Sequence, residues 1–207
     1  MNTRSVIPSI IIFIISAILN GCATSQPSRF YVLNVLERPQ LENSQSCKNE
    51  GIITIGINPI VLPRYLDRPQ IMTRVNDNEY KLSELNLWAE PLKNSIPRII
   101  AQNLNTLLCA DTVIFPMTGF NQSDYRLSAE VIRLDGTLGG QAFLEVQWSI
   151  FDERAQKILI TKNSRYSEPI GSQDYHALAY AYSRVLSAFS QETADTFKSI
   201  SQGKPHP

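Results

Sequence analysis

Ala142, Leu144, Val146, Trp148 and Ile150 alternate with Glu145, Gln147 and Ser149, and a period of two sustained over Leu144–Ile150 reads as a strand buried on one face. Such a strand needs an apolar layer against one side and water against the other. Lys157–Ser167, reached through the polar turn Asp152-Glu153-Arg154, is the predicted partner. Upstream, Tyr125, Leu127, Ala129 and Val131 share one parity, whereas Ile132 and Leu134 fall on the other, which predicts a bulge or an end to one-sided burial. Gly136 and Gly139-Gly140 turn the chain between these strands.

Two stretches carry helical periodicity and supply the covering layer. Leu92, Ile96, Ile99, Ile100, Leu104, Leu107 and Leu108 recur at helical spacing within Pro91–Cys109. Pro97 lacks an amide proton and clashes with the preceding turn, so the helix is expected to start near Asn94, the alternative being a kink. The second helix is predicted over Gln173–Ile200, capped by Ser172, with Tyr175, Leu178, Ala179, Tyr182, Val185, Leu186, Phe189, Phe197 and Ile200 as its stripe. Shorter strands are expected at Arg29–Val35, Gly51–Ile57 and Thr112–Phe115, with a polar loop over Arg38–Glu50. Pro69–Val75 and Glu79–Leu82 flank Asn76-Asp77-Asn78 and predict a hairpin whose inner face is Ile71, Thr73 and Val75. The sum is an α+β domain, a mostly antiparallel β-sheet with two α-helices packed on one face.

The N-terminus has a different design. Arg4 precedes an apolar run, Val6–Leu19, that is shorter than the about 20 residues a spanning helix needs. It ends in Leu19-Asn20-Gly21-Cys22, which resembles the bacterial lipobox, with Asn20 departing from the usual small residue. Residues 1–21 are therefore read as a lipoprotein signal peptide. The Cys22 thiol is expected to take a diacylglycerol and its freed amine an acyl chain, and three chains make release from a membrane negligible. Ala23, where aspartate would retain a lipoprotein at the inner membrane, favours the outer membrane, facing the periplasm. Residues 22–29 are then a lipidated tether, 30–201 the folded domain and 202–207 a tail. Ala23–Arg29 spans at most about 24 Å, so the domain stays near the bilayer.

Charge and reactive residues narrow the function. Lys plus Arg and Asp plus Glu both number 19, and Arg4 is the only charged side chain before Cys22, so the mature part carries one net negative charge and offers nothing to nucleic acid. Cys47 and Cys109 are free to pair in an oxidising periplasm or to remain thiols. No Cys or His spacing suits a metal, and no cofactor is expected beyond the lipid on Cys22. Gly136-Thr137-Leu138-Gly139-Gly140 lacks the Lys-Ser/Thr of a phosphate-binding loop. His176, the only histidine outside the tail, is expected on the surface of a helix's first turn, and Asp152 and Glu153 in a solvated turn, so neither pattern reads as catalytic. Arg64, Arg68 and Arg74 are candidates for lipid phosphate contact, although scattered arginines are more often solvated.

One constellation is more specific. Leu62-Pro63-Arg64-Tyr65-Leu66-Asp67-Arg68-Pro69-Gln70-Ile71, then Trp88-Ala89-Glu90-Pro91-Leu92, then Ala101-Gln102-Asn103-Leu104, closely resembles the PqiC (YmbA) family of auxiliary lipoproteins in ABC/MCE-type intermembrane transport. Pro97 is a departure from it. The resemblance implies a non-enzymatic subunit that docks onto an MCE-domain protein of a PqiB type, assembles as a homo-oligomeric ring and supports lipid transport and envelope integrity. It also offers Tyr65, Leu66, Asp67, Arg68, Pro69, Gln70 and Ile71 as a rim that meets a neighbour or the partner. The alternative for that segment is a buried turn and an edge strand. A lipoprotein binding lipid or a small molecule by itself is the alternative function, and it needs a deep apolar cavity.

Overall fold

The structure is a computed structural model that describes residues 26–35, 53–108, 110–115 and 123–202, without the side chains of the last two. The Cys22 lipidation site, Cys47 and Cys109, the signal segment, the first half of the tether and residues 203–207 of the tail lie outside the described residues, while Gln202 ends the last helix. Among the described residues the chain order is β1 (Arg29–Tyr31), β2 (Thr54–Ile57), β3 (Gln70–Asn76), β4 (Glu79–Trp88), α1 (Leu92–Leu108), β5 (Asp111–Ile114), β6 (Tyr125–Gly136), β7 (Gln141–Asp152), β8 (Lys157–Pro169) and α2 (Tyr175–Gln202). A single 3-10 turn, Arg64–Leu66, precedes β3. The α+β expectation holds, and the strands divide between two sheets.

The larger sheet is five-stranded in the order β5-β2-β6-β7-β8. Its long strands β6, β7 and β8 form an antiparallel meander, while β2 runs parallel to both β5 and β6. Parallel neighbours require a crossover, and the chain between β2 and β5 contains α1. The predicted alternation in β7 is realised: Ala142, Leu144, Val146, Trp148 and Ile150 are all fully buried. The parity switch in β6 is a bulge, since Val131 pairs with Val146 and Arg133 with Glu145, leaving Ile132 as the extra, exposed residue. Gly56 in β2 sits where a Cβ would lie 2.3 Å from the Phe115 ring, so the close approach of that ring needs a glycine.

The smaller sheet is three-stranded in the order β1-β4-β3, with β1 parallel to β4 and β3 antiparallel to it. The β3–β4 hairpin turns at Asp77 and Asn78 as expected, but β4 continues to Trp88 and the register shifts between Arg74 and Asn76. That shift corrects the predicted inner face. Ile71 and Thr73 are buried, whereas Val75 is exposed beyond the irregularity.

Both helices contribute to one core. α2 is 28 residues long, about 42 Å at 1.5 Å per residue, and its buried stripe includes Leu178, Tyr182, Val185, Leu186, Phe189 and Phe197. Tyr182 stacks on Trp88 of the small sheet at 5.9 Å, while Phe189 meets Trp148 of the large sheet edge-on at 5.8 Å. α2 thus packs against both sheets. Polar residues on its buried side are satisfied locally: Ser183, Ser190 and Thr193 donate to the carbonyls of Ala179, Leu186 and Phe189. Ser190 also accepts from the buried amide of Asn103 at 3.1 Å, which links α1 to α2.

Both helix starts differ from expectation. α1 begins at Leu92, with Asn94 and Ser95 donating to the Pro91 carbonyl, and Pro97 lies inside the helix instead of in its first turn. Burial explains the tolerance: Leu92, Ile96, Pro97, Ile99 and Ile100 all pack inward, and tertiary burial outweighs the one backbone bond that proline cannot make. At α2 the cap is Asp174, not Ser172. Asp174 Oδ1 accepts from the Ala177 amide at 2.8 Å, and the Ser172 hydroxyl donates to the other carboxylate oxygen. Among the described residues no helix is long and apolar enough to cross a membrane.

Candidate docking surface

The segment before β3 separates into anchors and a display. Leu66 and Ile71 are core residues, while Asp67, Arg68 and Pro69 between them are exposed. The turn is fixed from below. Leu66 and Asp67 donate to the carbonyls of Pro63 and Arg64, and Trp88 donates to the Pro69 carbonyl at 2.7 Å. Tyr65 exchanges hydrogen bonds with the Leu134 backbone, accepting from its amide at 3.1 Å. Gln70 is half-buried and pairs with Leu87. The seven predicted contact residues therefore do two jobs: four position a turn, and three are presented to solvent. Arg68 has no ion-pair partner among the described residues, whereas Asp67 faces Lys93 at 3.3 Å.

Behind this turn lies a polar cluster that joins the two sheets. The fully buried carboxylate of Asp135, in β6, accepts from Arg74 Nε and Nη2 in β3 at 2.9 and 2.6 Å, and from the Tyr80 hydroxyl in β4 at 2.6 Å. Arg133 closes it from the other side, with Nε at 2.8 Å from both oxygens. Burial alone would raise the Asp135 carboxyl, but hydrogen bonds from Arg133, Arg74 and Tyr80 together outweigh it and hold the group below its ordinary range. Burial, reinforced by the hydrogen bond to Asp135, pushes the Tyr80 hydroxyl up, so it remains a donor. Tyr65 stacks on Tyr80 at 5.0 Å, which couples the turn to the cluster.

Arg74 is committed to this cluster and is not the solvated or phosphate-binding side chain its sequence position suggested. Arg64 and Arg68 are exposed. Asp135, Tyr80 and Arg133 escaped sequence reading. The only trace of them was the parity switch at Ile132, which puts Leu134 on the core face and Asp135 on the opposite one, where β3 and β4 cover it. Asp152 also differs from expectation: it is buried at the end of β7, where Oδ1 accepts from the amides of Arg154 and Ala155 and shapes the turn. Glu153 pairs with Arg126. His176 is exposed in the first turn of α2, as expected.

A second polar group lines an open cleft of about 560 Å³ beside α2, bordered by Lys162, Gln191, Glu192, Asp195, Thr196 and Ser199. Burial would raise the Glu192 carboxyl, but hydrogen bonds led by that from Tyr166 bring it below its usual range. The polar side chains pair with one another around an open cleft, whereas a free-standing lipid carrier requires a deep, enclosed apolar cavity. Among the described residues no group of three His, Cys, Asp or Glu side chains is placed to hold a metal.

Comparison with known proteins addresses the whole domain. The family described as ABC-type transport auxiliary lipoprotein component matches residues 31–194. The intermembrane transport lipoprotein PqiC of Escherichia coli is 24% identical over 180 residues, covering 84% of this chain and 91% of that protein, and the PqiC of Shigella flexneri matches equally. A crystal structure of a Xanthomonas campestris protein superposes with a TM-score of 0.66 at 19% identity, over 84% of this chain and 99% of that one. The fold described above is thus shared across a group of bacterial proteins.

Proposed function

This chain belongs to the family of ABC-type transport auxiliary lipoprotein components, and from that membership we propose that it is a lipid-anchored docking subunit of an MCE-type lipid transport system. In this reading Cys22 carries diacylglycerol and an N-acyl chain, Ala23 directs the protein to the outer membrane, and the domain faces the periplasm. Its partner is an MCE-domain protein of a PqiB type, met by a homo-oligomeric ring of this chain. The protein acts by holding the far end of a lipid conduit and not by catalysis, and so supports envelope integrity.

The observation that carries this reading is the Asp67-Arg68-Pro69 turn, exposed on a base that Leu66, Ile71 and the Tyr65–Tyr80 stack keep rigid. A preordered, solvent-facing turn loses little freedom on binding, as a docking element should. The relatives named as intermembrane transport lipoproteins match this chain over 91% of their length, which supports the reading.

Cross-linking of intact envelopes followed by capture of the tagged full chain tests the proposal. An MCE-domain protein is expected in the capture, and Arg68→Glu is expected to deplete it while the fold persists. Recovery of the chain without any MCE-domain protein overturns the docking role. Mass spectrometry of the chain from cells reads the anchor separately, as acylated Cys22 or as an unmodified thiol.

A further inference from the structure

The small sheet has one face against α2; the other is covered at the hairpin end, where Arg74 and Tyr80 reach Asp135, and among the described residues it is exposed toward β1. Tyr31 and Trp88 point inward, where they meet Tyr175 and Tyr182 of α2. The opposite face carries Phe30, 64% exposed, paired with Leu87, and Met72 paired with Leu82, which is 38% exposed. Val32 continues the same parity past the end of β1 and is 52% exposed. Cross-strand apolar pairs facing water lower the stability of a monomer's surface and mark a contact with something else.

We infer that this outer face rests on the anionic surface of the bilayer that holds the anchor, as a second, non-covalent membrane contact. The inference rests on the lipid anchor proposed above. Chain connectivity selects the occupant. Cys22 and Phe30 are eight residues apart, at most about 27 Å, whereas α2 alone is about 42 Å long. β1 is thus the first ordered element the anchor can bring to the lipid, and much of the remaining surface is beyond its reach. Charge agrees. Arg29, exposed at the start of β1, has no ion-pair partner among the described residues, while the nearby acids Asp67 and Glu90 are matched by Lys93 and Arg98. Lys81 and Glu84, both exposed on β4, offset each other. An apolar face edged by a free guanidinium suits the boundary between headgroups and acyl chains.

Fluorescence of the acylated full chain in vesicles of phosphatidylethanolamine and phosphatidylglycerol tests the contact. A tryptophan placed by Phe30→Trp is expected to be quenched by brominated acyl chains, while Trp88 and Trp148 of the wild type, both buried, are not. Without acyl chains, the Cys22→Ala chain lacking its signal should still partition onto anionic vesicles, and Arg29→Gln should weaken that by about fivefold. Absence of quenching in the acylated chain, or partitioning unchanged in both Phe30→Ser and Arg29→Gln, overturns the inference. Loss of quenching only on assembly into oligomers overturns it too and assigns the face to a second copy. None of these readouts depends on the MCE partner, and an unmodified Cys22 would condemn the anchor without involving the sheet face.

Discussion

Asp135 and Arg74 meet at 2.6 Å across the seam between the two sheets, one from β6 and the other from β3. The carboxylate has no exposure, and besides Arg74 it takes hydrogen bonds from Arg133 and Tyr80. Removal of one partner from a buried pair leaves the other charge uncompensated, which costs far more than the pair contributes. Asp135→Asn is therefore expected to destabilise the domain by about 3 kcal/mol, read as a lower urea midpoint. Arg133→Ala should cost less, because that side chain is one-third exposed.

The same carboxylate gives stability a pH dependence. Its folded-state pKa lies below the ordinary 3.8, so the folded state gains from its ionised form. That gain is complete above the ordinary value and is lost as pH falls through the folded value. Denaturation midpoints should decline below about pH 4, and the decline should be shallower in Asp135→Asn. An identical slope in the variant would remove Asp135 from the account.

Tyr182 presents the opposite case. Its ring stacks on Trp88, but its buried hydroxyl has no hydrogen-bond partner among the described residues. An unsatisfied buried hydroxyl opposes folding, so Tyr182→Phe is expected to leave stability unchanged or raise it by up to about 1 kcal/mol. Tyr182→Ala, which also removes the ring, should cost about 3 to 5 kcal/mol. Thermal denaturation of both variants separates the ring from the hydroxyl.

Gly56→Ala should destabilise by about 1 to 3 kcal/mol. The added Cβ would lie 2.3 Å from the Phe115 ring and 2.9 Å from the Ser123 hydroxyl. Because β2 is central in its sheet, the strand cannot yield without disturbing β5 or β6. A urea midpoint equal to that of wild type would show that the ring moves aside freely.

The turn offers the clearest split between stability and docking. Arg68 is exposed, so Arg68→Glu should change stability by no more than a surface substitution does, within about 0.5 kcal/mol. Its effect should fall on capture of the MCE-domain partner. Leu66→Ala should do the reverse first, costing about 2 to 5 kcal/mol through the cavity it leaves.

Local periodicity was sufficient for the elements themselves. The alternation of β7, the stripes of both helices, the hairpin at Asp77-Asn78 and the parity switch at Ile132 are properties of neighbouring residues, and each is present in the structure. The lipobox and the Leu-Asp-Arg-Pro-Gln-Ile core are equally local, so membership of a lipoprotein family was legible before any coordinates. Tertiary structure decided the rest, because it depends on partners far apart in the chain. Pro97 lies inside α1 since the burial of Ile96, Ile99 and Ile100 outweighs a missing backbone bond, and no window of sequence contains that comparison. Asp135 and Arg74 are 61 residues apart, and only the placement of β3 against β6 turns two ordinary charges into the bolt between sheets. The division of the segment from Tyr65 to Ile71 into anchors and an exposed turn follows from the same placement, since burial is a property of the assembled fold and not of a residue's type.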